Sequence, residues 1–228
     1  MSETAQVTAI VTFYNRERYL AEAVESVLAQ DRDDLHIVLV DDGSTDSSHS
    51  VARAFEPPAE VVRQENRGSA GAMNTGVRTA TTEFVAFCDS DDIWRAGKLD
   101  AQLAAFERDP SLDLVFTNVE EFLSPEINRE DVRTRPLRGA VPGCAPSTLL
   151  ARRSAFQQVG PLDEGLRNGA WVDWYARARW AGLREHILPD ILVRRRIHAQ
   201  NNFALQTDAH IGYLRAVRAM VQRRRSDS

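Results

Sequence analysis

Residues 83–92 read EFVAFCDSDD, an apolar run that ends in three carboxylates within four residues. The part rich in Val and Phe predicts a buried β-strand. Asp89, Asp91 and Asp92 follow one another so closely that their charges repel, and a cation is expected beside them. Hard divalent cations take carboxylate oxygens and often share them with substrate phosphates, which predicts a site for a metal and a phosphorylated ligand. The alternative is a solvated turn in which an Asp caps a helix before Ile93.

The composition limits the class of protein. The chain has 228 residues, 43% of them hydrophobic, which suffices for one large domain or two fused subdomains. A net charge of -5 argues against a general nucleic-acid binder. Two cysteines without metal-site spacing favour a reduced, cytoplasmic location. No apolar run reaches the roughly 20 residues that a membrane span needs, and the polar start predicts no signal peptide, so any membrane contact is expected to be peripheral.

Strand and helix patterns alternate along the first half of the chain. Short apolar runs with helical periodicity between them predict strands at 7–12, 35–40, 60–63, 84–88 and 112–117. This alternation predicts βαβ units and a mostly parallel sheet that is covered on both faces. In such open sheets, ligands bind outside the carboxyl ends of the strands.

Polar residues stand where the predicted strands end. Thr12 and Tyr14 close the first strand, Asp41 and Asp42 follow the second, and the acidic turn at 89–92 follows the fourth. Three such clusters on one sheet edge predict a single pocket, which glycosyl or phosphoryl chemistry requires and a purely structural sheet does not.

The second half of the chain has a different pattern. The charged segment 124–143 predicts a long loop that covers the site or contacts an acceptor. A helix is predicted at 172–181 and a strand at 187–193 that Pro189 interrupts. A last helix is predicted at 208–225 with arginines on one face. These arginines either are solvated or contact anionic lipid.

An ordered set of motifs resembles glycosyltransferase family 2. The motifs are VTFYNR at 11–16, VDDGSTD at 40–46, ENRG at 65–68, NTG at 74–76, DSDD at 89–92, GPLDE at 160–164 and RIH at 196–198. They follow the family's order from residue 7 to about 203. The resemblance implies a GT-A fold, an α/β domain with a mostly parallel central sheet flanked by helices. It also implies hexosyl transfer from a nucleotide-activated donor, with inversion at the anomeric carbon.

The resemblance also implies how the single domain, residues 1–228, is organised. Residues from about 5 to 118 form the Rossmann-like, nucleotide-sugar-binding half, and residues from about 119 to 206 form the acceptor-binding half. Residues 207–228 form the basic helix and tail. The implied partners are a nucleotide sugar, which we expect to be UDP-linked, and an acceptor that is a glycan, a lipid-linked intermediate, a small molecule or a peptide.

A divalent metal is implied at the acidic turn. By resemblance, Asp91 ligates Mn²⁺ or Mg²⁺, and Asp89 holds the ribose or a water beside the metal. His198 matches the family's late histidine, which completes the metal shell. A metal that bridges the diphosphate oxygens stabilises the charge that develops on them as the diphosphate leaves, so Asp91 is also counted as catalytic.

The nucleotide is expected at the first two strand ends. Thr12, Tyr14 and Asn15 match positions that cradle the base in relatives, with the ring of Tyr14 stacked on it. Asp41 and Asp42 match the acidic pair that reads the base or the ribose. A carboxylate accepts a hydrogen bond from the N–H of uracil, which suits a UDP-linked donor.

The resemblance does not fully explain how the diphosphate of the donor is bound. Many relatives carry an Arg before the NTG motif, and this chain has Met73 there. Arg67 is therefore expected to pair with the diphosphate, and its alternative function is that of a surface turn residue.

The family's general base is missing. Counting without gaps from Leu162 places Ala170 and Trp171 where relatives have Glu and the catalytic Asp, while Asp173 and Arg177 match the Asp and Arg that follow. An indole cannot accept a proton, and a general base contributes about a hundredfold to ten-thousandfold in rate.

Three interpretations of that loss stay open. Asp173 serves as the base in a re-aimed loop, or the acceptor is acidic enough to need none, as a thiol is, or the protein binds the donor and transfers slowly or not at all. Trp171 is expected to stack on the acceptor, beside Asp163 and Glu164. The competing functions are therefore an active glycosyltransferase and a catalytically impaired sugar-nucleotide-binding protein. A nucleotidyltransferase is disfavoured because no glycine-rich, Lys-containing loop lies near the start.

Overall fold

The computed structural model describes residues 6–127, 139, 141–142, 144–166 and 169–198. The predicted helix at 208–225 and most of the predicted loop at 124–143 lie outside these residues. Among the helices that the model describes, none combines the length and apolar character needed to cross a bilayer.

Strands and helices alternate in the first half, as the apolar runs predict. The elements are β1 Val7–Phe13, α1 Leu20–Leu28, β2 Leu35–Asp41, α2 Ser48–Arg53, β3 Ala59–Arg63, α3 Gly68–Thr79 and β4 Phe84–Asp89. The remaining elements are β5 Ile93–Trp94, α4 Lys98–Arg108, β6 Leu114–Leu123, β7 Val141–Pro142, β8 Leu150–Arg152, α5 Arg153–Val159, α6 Ala170–Trp180 and β9 Glu185–Ile197. A single 3-10 turn, Pro146–Thr148, precedes β8.

The nine strands that the structure describes belong to one mixed sheet. Their order is β3-β2-β1-β4-β8-β6-β9-β5, with β7 paired to β6. The four strands from β3 to β4 are parallel, β8 is antiparallel to both of its neighbours, and β6 and β9 are parallel to each other. The α/β prediction is confirmed, and the strand β8 makes the sheet mixed. The division into halves at residue 118 stays a prediction, and β6 runs through that position.

The order in which strands are added to the sheet reverses at β1. β2 and β3 lie on one side of β1, and β4 lies on the other. Thr12 is therefore paired with Val40 on one side and with Asp89 on the other. The carboxyl ends of three strands meet there, and this is the switch point at which open α/β sheets form a ligand crevice.

β9 continues through Pro189, which the sequence predicts as an interruption. Thr117 pairs with Leu188 and Asn118 with Ile191, so Pro189 and Asp190 bulge out of the ladder. Proline has no N–H to donate, and a bulge is where a strand tolerates it. The Asn118 side-chain amide donates to the Pro189 carbonyl at 2.8 Å and holds the bulge.

Apolar layers cover both faces of the sheet. In β1, Ala9 and Val11 belong to one buried cluster, and Ile10 belongs to the other. Successive side chains of a strand point to opposite faces, so a strand buried on both faces is apolar throughout. α3 lies against β1 so closely that a Cβ on Gly76 would be 2.3 Å from Cγ2 of Ile10.

This close approach generates a stability prediction. Replacing Gly76 by Ala forces α3 away from β1, so we expect a loss of about 2 kcal/mol in the free energy of unfolding, measured by urea denaturation. Removing the opposing Cγ2 with Ile10→Ala should relieve the clash. The double variant should then be more stable than the sum of the two single losses predicts. Strictly additive losses contradict the contact.

Candidate functional site

A cavity of about 1120 Å³ opens at the switch point. Its walls come from the strand ends of the first half and from the loops, α6 and β9 of the second half. Residues that line it include Thr12, Tyr14, Asn15, Arg16, Asp42, Arg67, Met73, Asp89, Asp91, Asp92, Glu164, Trp171 and Arg195. The structure thus brings together most of the site residues that the sequence predicts.

The aromatic ring at one end of the cavity belongs to Tyr14, which is 43% exposed. Asn15, beside it, has a positive φ of 52°. Its side-chain oxygen accepts a hydrogen bond from the Thr45 N–H at 2.8 Å, and its own N–H donates to the Ser44 hydroxyl at 3.1 Å. Asn15 therefore lines the cavity and also fixes the turn that follows β2.

Asp42 lines the cavity and organises the start of α3. Its carboxylate accepts hydrogen bonds from the N–H groups of Arg67 and Gly68, both at 2.8 Å, and from the Gln64 amide at 2.7 Å. Two carboxylate oxygens offer about four acceptor positions, so a further donor can still be accepted.

Asp41, unlike Asp42, is directed away from the cavity. It is fully buried, does not line the cavity, and accepts a hydrogen bond from the Ser44 N–H at 2.8 Å. Its second oxygen lies 3.0 Å from Nδ1 of His49 and 3.4 Å from Nε of Arg63. Its predicted function in reading the nucleotide stays a prediction, and the geometry is that of a turn-stabilising residue.

At the acidic turn, the two predicted metal ligands are in direct contact. Nε2 of His198 lies 2.9 Å from Oδ2 of Asp91, and Nε of Arg16 lies 3.7 Å from the same oxygen. His198 is buried against the ring of Tyr19, with 4.6 Å between the ring centroids. The end of β9 is tied to the turn through Arg196, whose N–H donates to Asp92 and whose guanidinium donates to the Asp91 carbonyl.

The carboxylates of the turn affect one another's protonation. Burial and the charge of Asp91 raise the pKa of Asp89 to about 6. Burial and the charges of both neighbours raise the pKa of Asp92 well above its usual range. Burial also opposes ionisation of Asp91, but the hydrogen bond with His198 and the charge of Arg16 outweigh it and lower its pKa. Among the described residues, the cations ion-paired at this turn, Arg16 and His198, both pair with Asp91, so added positive charge beside Asp89 and Asp92 would stabilise their ionised forms.

The donor set at the turn fits a divalent ion that completes its shell with substrate. Within the described residues, no group of three or more His, Cys, Asp or Glu side chains is arranged to hold a metal. Asp91 and His198 supply one carboxylate and one imidazole in contact. Mg²⁺ and similar ions are often held by one or two protein groups together with substrate phosphates and water.

A salt bridge joins the two predicted halves across the cavity. The Arg67 guanidinium donates to both oxygens of Glu164, at 2.7 and 2.8 Å. Asn74 lies behind this pair: its amide donates to the Leu162 carbonyl and to Glu164, and its oxygen accepts from the Leu162 N–H at 2.9 Å. These contacts fix the 160–164 turn against α3. They lower the pKa of Glu164, the Asn74 hydrogen bond being the largest cause.

An aromatic column supports the part of the cavity wall that Trp171 forms. Trp171 stacks on Trp174 with 5.3 Å between ring centroids, and Trp174 stacks on Phe156 at 4.2 Å. The indole N–H of Trp171 donates to the Cys144 carbonyl at 2.6 Å. The ring of Trp171 is therefore held in one orientation at the cavity surface.

Asp173 does not line the cavity. It is fully buried, and one oxygen accepts from Nε of Arg177 at 2.9 Å. Arg177 in turn donates to the carbonyls of Val159 and Pro161 at 2.6 and 2.8 Å. The pair supports the turn that carries Glu164, and the function of Asp173 as a base stays a prediction that this geometry does not support. Asp163, another predicted acceptor contact, is also absent from the cavity wall, and its carboxylate accepts from the Gly165 N–H.

Sequence reasoning missed three residues at the acidic turn. Arg16 and Arg195 line the cavity, and the buried hydroxyl of Ser147 accepts a hydrogen bond from the Asp89 N–H at 2.9 Å. Arg16 belongs to a quoted motif, and strand alternation at 194–196 marks Arg195 as facing away from its two neighbours. No local signal identifies Ser147, which reaches Asp89 from 58 residues away.

Known sequences resemble this chain over most of its length. The family model described as Glycosyl transferase family 2 matches residues 8–160. An uncharacterised glycosyltransferase of Nostoc sp. is 33% identical over 217 residues, which cover 86% of this chain and 66% of the relative. An uncharacterised glycosyltransferase of Rickettsia felis is 27% identical over 85% of this chain and 34% of its own length. The chain thus spans about two thirds of one relative and a third of the other.

Solved structures share the fold. TarS of S. aureus in complex with UDP-GlcNAc superposes with a TM-score of 0.78 at 19% identity, covering 94% of this chain and 65% of that one. The mannosyltransferase PcManGT of Pyrobaculum calidifontis, in complex with GDP-Man and Mn²⁺, gives a TM-score of 0.68 at 25% identity, covering 87% and 59%.

The sheet order, the cavity at its switch point and these likenesses define the class, which is that of the GT-A fold of glycosyltransferases. Within that class, the chain belongs to glycosyltransferase family 2.

The junction between α3 and the 160–164 turn generates the second prediction. Replacing Asn74 by Ala leaves the buried N–H and C=O of Leu162 without their side-chain partner, so we expect a loss of about 2 kcal/mol in the free energy of unfolding. Asn66→Ala makes the same chemical change at an exposed position and should change stability by less than about 0.5 kcal/mol. Equal losses in the two variants, measured by urea denaturation, contradict the assigned contacts.

Proposed function

We propose that this protein is a metal-dependent, inverting glycosyltransferase that moves a hexose from a UDP-linked donor to an acceptor. The observation that carries the proposal is the contact between Asp91, which lines the cavity together with Tyr14 and Asp42, and the buried imidazole of His198. One acidic turn, one histidine and one exposed aromatic ring from distant parts of the sequence meet at the switch point. A purely structural sheet does not require that arrangement.

Asp91 and His198 would hold Mn²⁺ or Mg²⁺, and the ion would supply positive charge to the diphosphate. The Mn²⁺ in the structure of PcManGT supports this choice of cofactor. Ser147 positions the backbone of Asp89, and Arg196 positions Asp91 and Asp92 through their backbone and side-chain oxygens. These contacts preorganise the turn before a donor binds, and preorganised charge lowers the cost of the transition state.

The nucleoside is expected at the Tyr14 end of the cavity. The half-exposed phenol ring offers a face on which a base stacks, and Asp42 is the carboxylate beside it that lines the cavity. The UDP-GlcNAc bound in the TarS structure supports a UDP-linked donor. Thr12, at the end of β1 between β2 and β4, completes this end of the site.

The acceptor is expected at the Trp171 wall. An indole that stacks on Trp174 and Tyr175 and is fixed through its N–H presents the surface that lines the cavity at low entropic cost. Such a surface suits the apolar face of a sugar ring or an aromatic group. Glu164 lines the cavity and is paired with Arg67, where it can contact a hydroxyl of either substrate.

The cytoplasmic location predicted from the sequence is also part of this proposal. Both cysteines are free, as is usual for proteins of a reducing compartment.

A second function, donor binding with impaired transfer, is favoured by one observation. The indole of Trp171 stands at the family's base position, and Asp173 is buried in an ion pair with Arg177. Manganese-dependent release of UDP from a UDP-sugar distinguishes the two functions, because an active transferase passes some sugar to water. If the wild-type protein releases none and Trp171→Asp restores release, the impaired function is correct.

The third prediction tests the metal site. In a thermal-shift panel of UDP-glucose, UDP-GlcNAc and GDP-mannose, we expect a UDP-sugar to raise the Tm of the wild type more with Mn²⁺ than without it. A ligand at a hundred times its Kd stabilises by about 2.7 kcal/mol. Asp91→Asn should remove the manganese-dependent part of the shift. Asp100→Asn, the same change at an exposed position, should keep it. A full manganese-dependent shift in Asp91→Asn contradicts the site.

The fourth prediction tests the acceptor wall. Trp171→Ala should raise the acceptor KM about tenfold or more while the Kd for UDP stays unchanged, because the stacking surface is lost and the nucleotide end is intact. Trp171→Phe should give an acceptor KM between those of the wild type and Trp171→Ala. Trp180→Ala removes an exposed indole from the same helix and should leave both constants unchanged. A weakened UDP Kd without an acceptor effect would place the nucleotide, instead of the acceptor, at Trp171.

A further inference from the structure

Three consecutive arginines in β9 alternate between two sides of the strand. Nε of Arg194 lies 3.3 Å from Glu120, and its guanidinium lies 4.3 Å from the centroid of the Phe122 ring. Arg196 is buried and lies 4.7 Å from the same ring. Arg195 points to the other side, as the period of two along a strand requires, and lines the cavity.

Arg195 is half-buried. Among the residues that the structure describes, its side chain forms no ion pair and no hydrogen bond, whereas Arg194 and Arg196 are both ion-paired. Arg195 lines the same cavity as Asp89, Asp91 and Asp92. An unpaired guanidinium in a concave wall beside a predicted metal site is suited to bind an anion.

Among the other described arginines that line this cavity, Arg18 is exposed and its charge acts on Glu126, whereas Arg16 and Arg67 are held by direct contacts. Arg16 lies 3.7 Å from Asp91 and donates to the carbonyls of Tyr14 and Asn15 at 3.3 and 3.0 Å. Arg67 is held by both oxygens of Glu164. Met73 lines the cavity as an apolar side chain where many relatives carry an arginine. Within the described residues, Arg195 of β9 is therefore the cavity-lining arginine that is half-buried and not held by a direct contact.

We propose that Arg195 binds the diphosphate of the donor and stabilises it as the leaving group. This inference rests on the proposed function and adds a residue that the sequence motifs do not identify. As the bond from the anomeric carbon to the β-phosphate oxygen breaks, its electron pair passes to that oxygen. The acceptor nucleophile forms the new bond to the anomeric carbon and loses its proton to water. Arg195 donates N–H groups to the phosphate oxygens on which the charge collects.

The test compares binding of UDP and of uridine by isothermal titration in Mn²⁺. Arg195→Gln should weaken UDP binding about 10- to 100-fold, as expected for loss of a charge-assisted hydrogen bond to phosphate. Uridine lacks phosphates, so its Kd should not change. Arg194→Gln neutralises the adjacent arginine on the other side of the strand and should leave both Kd values unchanged. Arg195→Lys keeps a point charge without the fork of donors and should give an intermediate loss for UDP.

Each result separates this inference from the proposed function. If the wild type binds neither UDP nor GDP in Mn²⁺, both fail. If the wild type binds UDP and Arg195→Gln binds it equally well, the assignment of Arg195 alone is overturned. Equal weakening of UDP and uridine also overturns it, because the residue would then act through the fold. If Arg195→Gln does not fold, the Arg195→Lys variant decides by the same comparison.

Discussion

The site depends on negative charge that the fold concentrates at one sheet edge. β4 ends in three carboxylates, and burial makes each of them costly to ionise without a cation nearby. Three cationic groups lie beside these carboxylates: Arg16 from the loop after β1, Arg195 from β9, and His198, which follows β9 directly. Under the proposed function, the same negative charge would allow a divalent ion and a diphosphate to bind together.

A second constraint is the junction between the two walls of the cavity, one from the first half of the chain and one from the second. α3 lies tightly on β1 at Gly76, and its Asn74 holds the backbone of Leu162 in the facing turn. The pair of Arg67 and Glu164 closes the junction at the cavity surface. Because these contacts join α3 to the facing turn, the positions of the two cavity walls are coupled through a few polar groups and not through the sheet alone.

The sequence predicts what is local and misses what is set by tertiary contacts. Apolar runs locate β4 and its acidic turn, because a buried strand and the residues after it are contiguous in the chain. The motifs cannot distinguish the orientations of Asp41 and Asp42, since that depends on where β2 ends. Likewise, Asp173 matches a motif yet is buried by its pairing with Arg177. Arg195 acquires its place only because β9 pairs with β6 through a bulge.

The most direct test is anomalous diffraction from crystals grown with MnCl₂ and UDP. The account predicts one manganese peak within bonding distance of Asp91 and His198, bridged to the diphosphate, with the uracil ring against Tyr14. A manganese ion bound elsewhere, or UDP bound without any ion at the 89–92 turn, would contradict the claim that this turn exists to hold a metal and a nucleotide.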